Sequence, residues 1–184
     1  MTPEKYLDMM KSLTGKIDAD AACDAVELLY SAVKSGRSIF VAGNGGSAAT
    51  ANHFAADFGK NVVLGDEDRP RVMSLCCNMS SVTAYANDEG YENAFYRQLT
   101  NWAEKDDVLI VISASGNSPS VVKAAEFMHK RGGKVIAMTG FNGGMLRKTA
   151  DICLHADDDH YETVEDAHSI FCHLIVSCVK SKLA

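Results

Sequence analysis

Five short apolar runs punctuate the chain, at residues 38–42, 72–77, 108–112, 134–139 and 151–155, with helix-length stretches between most of them. Unbroken apolar runs, as opposed to alternating ones, mark strands covered on both faces. The pattern therefore predicts a parallel five-stranded sheet in a doubly wound, flavodoxin-like α/β domain. Ahead of the first strand, residues 5–13 and 19–34 carry helical spacing, with Leu28, Leu29, Ala32 and Val33 on one side. This gives an N-terminal helical hairpin within residues 1–36 that so small a sheet does not need for cover. The hairpin is expected in an interface between subunits. Residues 161–183 predict a last helix, with Val164, Ala167, Ile170, Phe171, Leu174 and Cys178 on a broad apolar face. The stretch 59–71, with Gly65, three acids and Pro70, is the most loop-like. There is no internal repeat, so residues 1–184 read as one domain.

Composition narrows this only a little. A chain of 184 residues with 47% hydrophobic content is long enough for one well-buried core. A formal charge of -6 argues against a general nucleic-acid or anionic-membrane binder, while leaving room for a local phosphate pocket. The cysteines at 23, 76, 77, 153, 172 and 178 include no CxxC pair, and neither a signal peptide nor a long apolar span is visible. The expectation is a reduced, cytoplasmic protein whose cysteines serve as small core residues, with Cys172 alone near the candidate chemistry.

Two strand-to-helix junctions carry that chemistry. The first apolar run breaks into Gly43-Asn-Gly-Gly-Ser47 before a helix-compatible stretch to Phe58. Glycine permits a sharp turn with exposed N–H groups, and Ser47 adds a hydroxyl at the positive end of the helix. The third run breaks into Ser113-Ala-Ser-Gly-Asn-Ser118, followed by Pro119 at a first helical position and a helical run to Arg131. Two such junctions at the carboxyl edge of one sheet imply a shared anionic ligand.

Polar residues then interrupt two helices. His53 and Asp57 are four apart on the helix leaving the glycine-rich loop, so a metal or a substrate could bridge them. Glu165 and His173 lie eight apart on the last helix, which is about 12 Å of rise and about 80° of rotation. A single ion is out of reach of both from one straight helix, so a shared site would draw them from two subunits or need an irregular helix around Glu165, and the two-subunit account is favoured. His129, His155, His160 and His168 read as hydrogen-bonded structural histidines.

GNGGSA at 43–48, ANHFAADF at 51–58, ANDEGYEN at 86–93, ISASGNSPSVVKAAE from 112 and VIAMTGFNGG at 135–144 together resemble the sugar isomerase (SIS) domain, and most narrowly the bacterial phosphoheptose isomerases. The resemblance runs from about residue 20 to the C-terminus. It implies an aldose–ketose isomerase interconverting sedoheptulose 7-phosphate and D-glycero-D-manno-heptose 7-phosphate, with zinc at a site shared between subunits of a homotetramer. By position it assigns the phosphate to Ser113, Ala114, Ser115 and Ser118, sugar contacts to Asn44, Gly45, Gly46, Asn87 and Asp88, and metal ligands to His53, Asp57, Glu165 and His173. It also makes Asp57 and His173 the acid–base pair.

Three positions depart from that family's usual residues. Asp57 replaces Glu, Glu165 replaces Gln and Ala114 replaces Thr. The shorter Asp57 withdraws its carboxylate by one methylene, which matters more for proton transfer than for holding a metal. Glu165 adds a negative charge, favouring a cation and disfavouring an anionic enediolate, and it stands as an alternative base. Ala114 removes one hydroxyl from the phosphate while keeping its backbone N–H. Isomerisation of a different phosphosugar, and a non-catalytic SIS protein that binds a replication initiator, are the other functions the pattern admits. His173 and four metal-competent positions weigh against the latter.

Overall fold

The computed structural model describes residues 1–65 and 68–183. Five parallel strands form one sheet: β1 (Ser38–Gly43), β2 (Arg71–Ser74), β3 (Val108–Ser113), β4 (Lys134–Thr139) and β5 (Ile152–His155). Their spatial order is β2-β1-β3-β4-β5, the flavodoxin-like winding. The three central strands account for the unbroken apolar runs, since Ile39–Ala42, Val108–Ile112 and Val135–Met138 are all buried on both faces. The edge strands are shorter. β2 stops at Ser74, three residues before its apolar run ends, because the Ser74 hydroxyl accepts from the Cys76 N–H and turns the chain.

Order reversal is the feature that positions the site. From β1 the chain moves outward to β2, then returns past β1 to β3, and Val41 pairs with Ser74 on one side and Ile110 on the other. The loops leaving β1 and β3 therefore diverge to opposite faces and open a crevice at the carboxyl edge. Into it point the first turns of α3 (Gly46–Asn61) and α6 (Pro119–Arg131), and α6 begins at Pro119 as the spacing predicts.

Of the two N-terminal helices, α1 (Pro3–Thr14) is capped by the Thr2 hydroxyl and α2 (Ala19–Lys34) by the Asp18 carboxylate. The structure corrects the idea that this pair is spare. Ala22, Ala25, Val26, Leu29, Ala32 and Val33 of α2 are buried, and α2 packs on β1, β5 and α8 (Tyr161–Leu183) of its own chain. α1 also packs on α8. β2 and β3 are bridged by α4 (Met79–Glu89), a 3-10 turn (Tyr91–Asn93) and α5 (Ala94–Trp102), and α7 (Gly144–Thr149) precedes β5. Within the loop-like stretch 59–71, α3 continues to Asn61, and residues 66–67 lie outside the described residues.

Candidate active site

At the crevice the two loops enclose a cavity of about 130 Å³, lined by Asn44, Ser47, Ser113, Ala114, Ser115 and Ser118 together with Ile112, Tyr161 and Glu165. Five residues singled out for an anion, and Asn44 singled out for the sugar, thus converge from separate segments of sequence. The serine loop is braced from behind: the Gly140 N–H donates to the Ala114 carbonyl at 2.8 Å, and the Leu146 N–H to the Gly116 carbonyl at 3.1 Å. Ser118 occupies the N-cap position of α6 without donating or accepting a capping hydrogen bond through its hydroxyl. That hydroxyl, the free N–H groups of two helix starts and their positive dipole ends suit an anion.

Glu165 sits at the mouth of this cavity against the first turn of α3. A Cβ on Gly46 would lie 2.8 Å from its Oε2, so the carboxylate packs directly on the glycine and would have to shift to admit a side chain there. Tyr161 stands one helical turn before Glu165 and packs against Phe141, with ring centroids 4.7 Å apart and the planes tilted by 59°. The i,i+4 spacing of Tyr161 and Glu165 in the sequence was the available signal for that second residue. Tyr91 also reaches the site, donating its hydroxyl to Asn44 Oδ1 at 2.8 Å. Asn87 and Asp88 behave differently: they are exposed on the last turn of α4, hydrogen-bonded to each other at 2.8 Å, and do not line the cavity of their own chain.

Farther along α3, the His53, Asp57 and His173 side chains come together. Asp57 Oδ2 lies 3.2 Å from His53 Nε2 and 3.7 Å from His173 Nε2, and the two imidazoles meet edge to face with centroids 5.1 Å apart. One ligand atom from each of the three falls within 4.8 Å of the others, a spacing and donor set that fit a divalent cation. Both histidines are more than half exposed. α3 and α8 run parallel here, with Glu165 beside Gly46 and His173 beside Asp57. Glu165 is therefore at the cavity end and His173 at the metal-competent end, the separation that eight helical residues require.

Among the remaining sequence-selected residues, Cys172 is buried, and burial, with Asp57 nearby, pushes its thiol up to about 12, so it stays protonated beside Met138. All six cysteines are free thiols. His129 pairs with Asp151 at 3.0 Å and His155 Nδ1 with the Thr139 hydroxyl at 3.0 Å, whereas His160 Nδ1 lies 3.1 Å from Glu162 without forming a hydrogen bond, against the expectation for it. His168 departs from the expectation for structural histidines: it is 1% exposed, and neither ring nitrogen has a hydrogen-bond partner among the described residues. No helix among the described residues is long and apolar enough to cross a membrane.

Comparison with known proteins agrees with the geometry. Residues 5–140 match the SIS domain family. A phosphoheptose isomerase of Mycobacterium tuberculosis is 36% identical over 173 residues, covering 93% of this chain and 87% of its own. One from Helicobacter pylori is 36% identical over 160 residues, covering 87% and 83% respectively. The solved phosphoheptose isomerase of Neisseria gonorrhoeae superposes with a TM-score of 0.88 at 28% identity, covering 97% of this chain and 94% of its own. The chain belongs to the SIS-domain family, among the phosphoheptose isomerases.

Proposed function

We propose that the protein is an aldose–ketose isomerase converting sedoheptulose 7-phosphate to D-glycero-D-manno-heptose 7-phosphate through a cis-enediol, in keeping with the activity its relatives are named for. The observation that carries this reading is the pairing, along α3 and α8, of an anion cavity with a cluster of proton-transfer groups. His53 is seven residues beyond Gly46, about 10 Å of helix, which suits an extended phosphosugar anchored at one end and reacting at the other.

In this reading Ser113, Ser115, Ser118 and the Ala114 N–H hold the phosphate, and Asn44, Gly45, Gly46 and Ser47 meet the adjoining sugar atoms, with Asn87 and Asp88 as further sugar contacts. Asp57 takes the proton from the carbon next to the carbonyl, and His173 manages the proton on the neighbouring atoms. Both imidazole contacts of Asp57 fall on Oδ2, which leaves Oδ1 to accept that proton. Zinc held by His53, Asp57 and His173 would polarise the sugar carbonyl and offset the charge of the enediolate. Glu165 joins that set only from a second subunit, so the proposal includes a homotetramer with shared sites, working in the cytoplasm. Within its own chain Glu165 faces the cavity as the alternative base.

The test is turnover of sedoheptulose 7-phosphate by the wild type and the Asp57→Asn and His173→Ala variants. Loss of a positioned acid or base lowers kcat on the order of 100-fold or more, with unchanged thermal midpoints because these side chains are partly or mostly exposed. Full turnover in either folded variant would overturn the assignment.

A further inference from the structure

Tyr91, Asn44 and Ser120 form a short hydrogen-bonded chain across the mouth of the crevice. The Tyr91 hydroxyl donates to Asn44 Oδ1 at 2.8 Å, and Asn44 Nδ2 donates to Ser120 Oγ at 2.9 Å. Each comes from a different segment: Asn44 follows β1, Ser120 is buried on the first turn of α6, and Tyr91 opens the 3-10 turn after α4. Asn44 borders both the 130 Å³ cavity and an adjoining one of about 430 Å³ that Tyr91 and Ser120 line.

A carboxamide is nearly symmetrical in shape and opposite in chemistry at its two ends, one donating and one accepting. Beside a bound anion the orientation is decisive, because an N–H attracts the ligand and a carbonyl oxygen repels it. Ser120 cannot select the orientation alone, since a hydroxyl both donates and accepts, and its Oγ also lies 3.4 Å from Asn44 Oδ1. The phenol of Tyr91 is a better donor than acceptor, so its partner is the carbonyl end. That fixes Oδ1 toward Tyr91 and one Nδ2 hydrogen toward Ser120, and leaves the second Nδ2 hydrogen for a ligand. Tyr91 is half exposed, so core packing does not account for its placement.

We infer that Tyr91 is a positioning residue for the phosphosugar: it holds the Asn44 amide, assigned above to the sugar, so that one N–H also turns to the phosphate, whose serine loop lines the same cavity. This rests on the phosphosugar reading of the cavity. The experiment is calorimetric titration with inorganic phosphate of the wild type and the Tyr91→Phe, Asn44→Ala and doubly substituted proteins, with thermal midpoints and steady-state kinetics on sedoheptulose 7-phosphate. Tyr91→Phe keeps the ring and removes only the hydroxyl. It should weaken phosphate about fivefold, the effect of one neutral hydrogen bond, and raise KM in proportion while changing kcat less. Adding Tyr91→Phe to Asn44→Ala should weaken phosphate no further, because the amide to be oriented is gone. Phosphate affinity in Tyr91→Phe equal to the wild type, or a loss that adds in full to that of Asn44→Ala, would overturn the inference. A wild type that binds no phosphate would overturn the phosphate reading itself, and this inference with it.

Discussion

His168 makes the stability of this protein sensitive to mild acid. It sits 1% exposed in α8, near His155, with neither ring nitrogen in a well-aligned hydrogen bond among the described residues and the Thr139 backbone as a weak polar neighbour. Burial pushes its pKa down from 6.5 to about 4; the Thr139 backbone opposes this in part, and His155 adds to it. In the unfolded chain the imidazole takes up a proton near 6.5, whereas the native state takes it up only near 4, so the unfolded state binds more protons between these values. Stability is thus fully present above about pH 6.5, falls as pH drops toward 4, and falls no further from this residue below that. At 1.36 kcal/mol per pH unit, the gap of about 2.5 units corresponds to about 3 kcal/mol. Urea unfolding of the wild type and a His168→Leu variant at steps from pH 7.5 to 4 reads the difference directly. Near neutrality the apolar variant should match or exceed the wild type, because two unpaired buried nitrogens are removed. On acidification the wild type should lose about 3 kcal/mol more than the variant. Parallel curves across the range, or a native His168 titrating near 6.5 by NMR, would refute the reasoning.

Two structural substitutions have equally definite outcomes. Gly116 has φ +63° in the serine loop, and a Cβ there would overlap the Gly143 carbonyl oxygen; Gly116→Ala should therefore cost at least about 2 kcal/mol in urea unfolding and abolish phosphate binding by displacing the loop, and unchanged stability and binding would contradict the bracing described. Asp107 is 3% exposed and accepts from the Ser38 and Glu104 N–H groups, each at 2.8 Å. Asp107→Ala leaves both donors unpaired and should lower stability by about 2–5 kcal/mol, and a loss under about 0.5 kcal/mol would show that these bonds do not hold β1 in place.

Much of this architecture was legible in the residues. The central strands announced themselves because burial on both faces admits almost nothing but aliphatic side chains, as Val108 to Ile112 illustrate. Pro119 marked the start of α6, and the glycine-rich and serine-rich junctions supplied residues that line one cavity, because a crevice beside two helix starts depends on local backbone and strand order. What escaped was long-range. The cover provided by α2 depends on which helices share a sheet face, and the role of Tyr91 depends on a fold that returns the 3-10 turn to Asn44 across 47 positions of sequence. The burial of His168 was hidden for the same reason, since a histidine flanked by Ala167 and Ser169 looks alike whether it faces solvent or core. The separation of Glu165 from His173 within one chain did follow from spacing, as helical rise forbids their meeting on one helix, but the position of Glu165 beside the cavity did not.

Isomerisation of a phosphosugar with a cation held by His53, Asp57 and His173 requires that metal and turnover go together. Its most direct test is metal analysis of the purified protein alongside conversion of sedoheptulose 7-phosphate, before chelation, after chelation and after return of zinc. Bound metal is expected, with turnover that disappears on its removal and returns with zinc. Undiminished turnover by metal-free protein would contradict the role given to the cluster. A folded protein that binds the phosphosugar and converts neither it nor any other ketose phosphate would contradict the claim of catalysis.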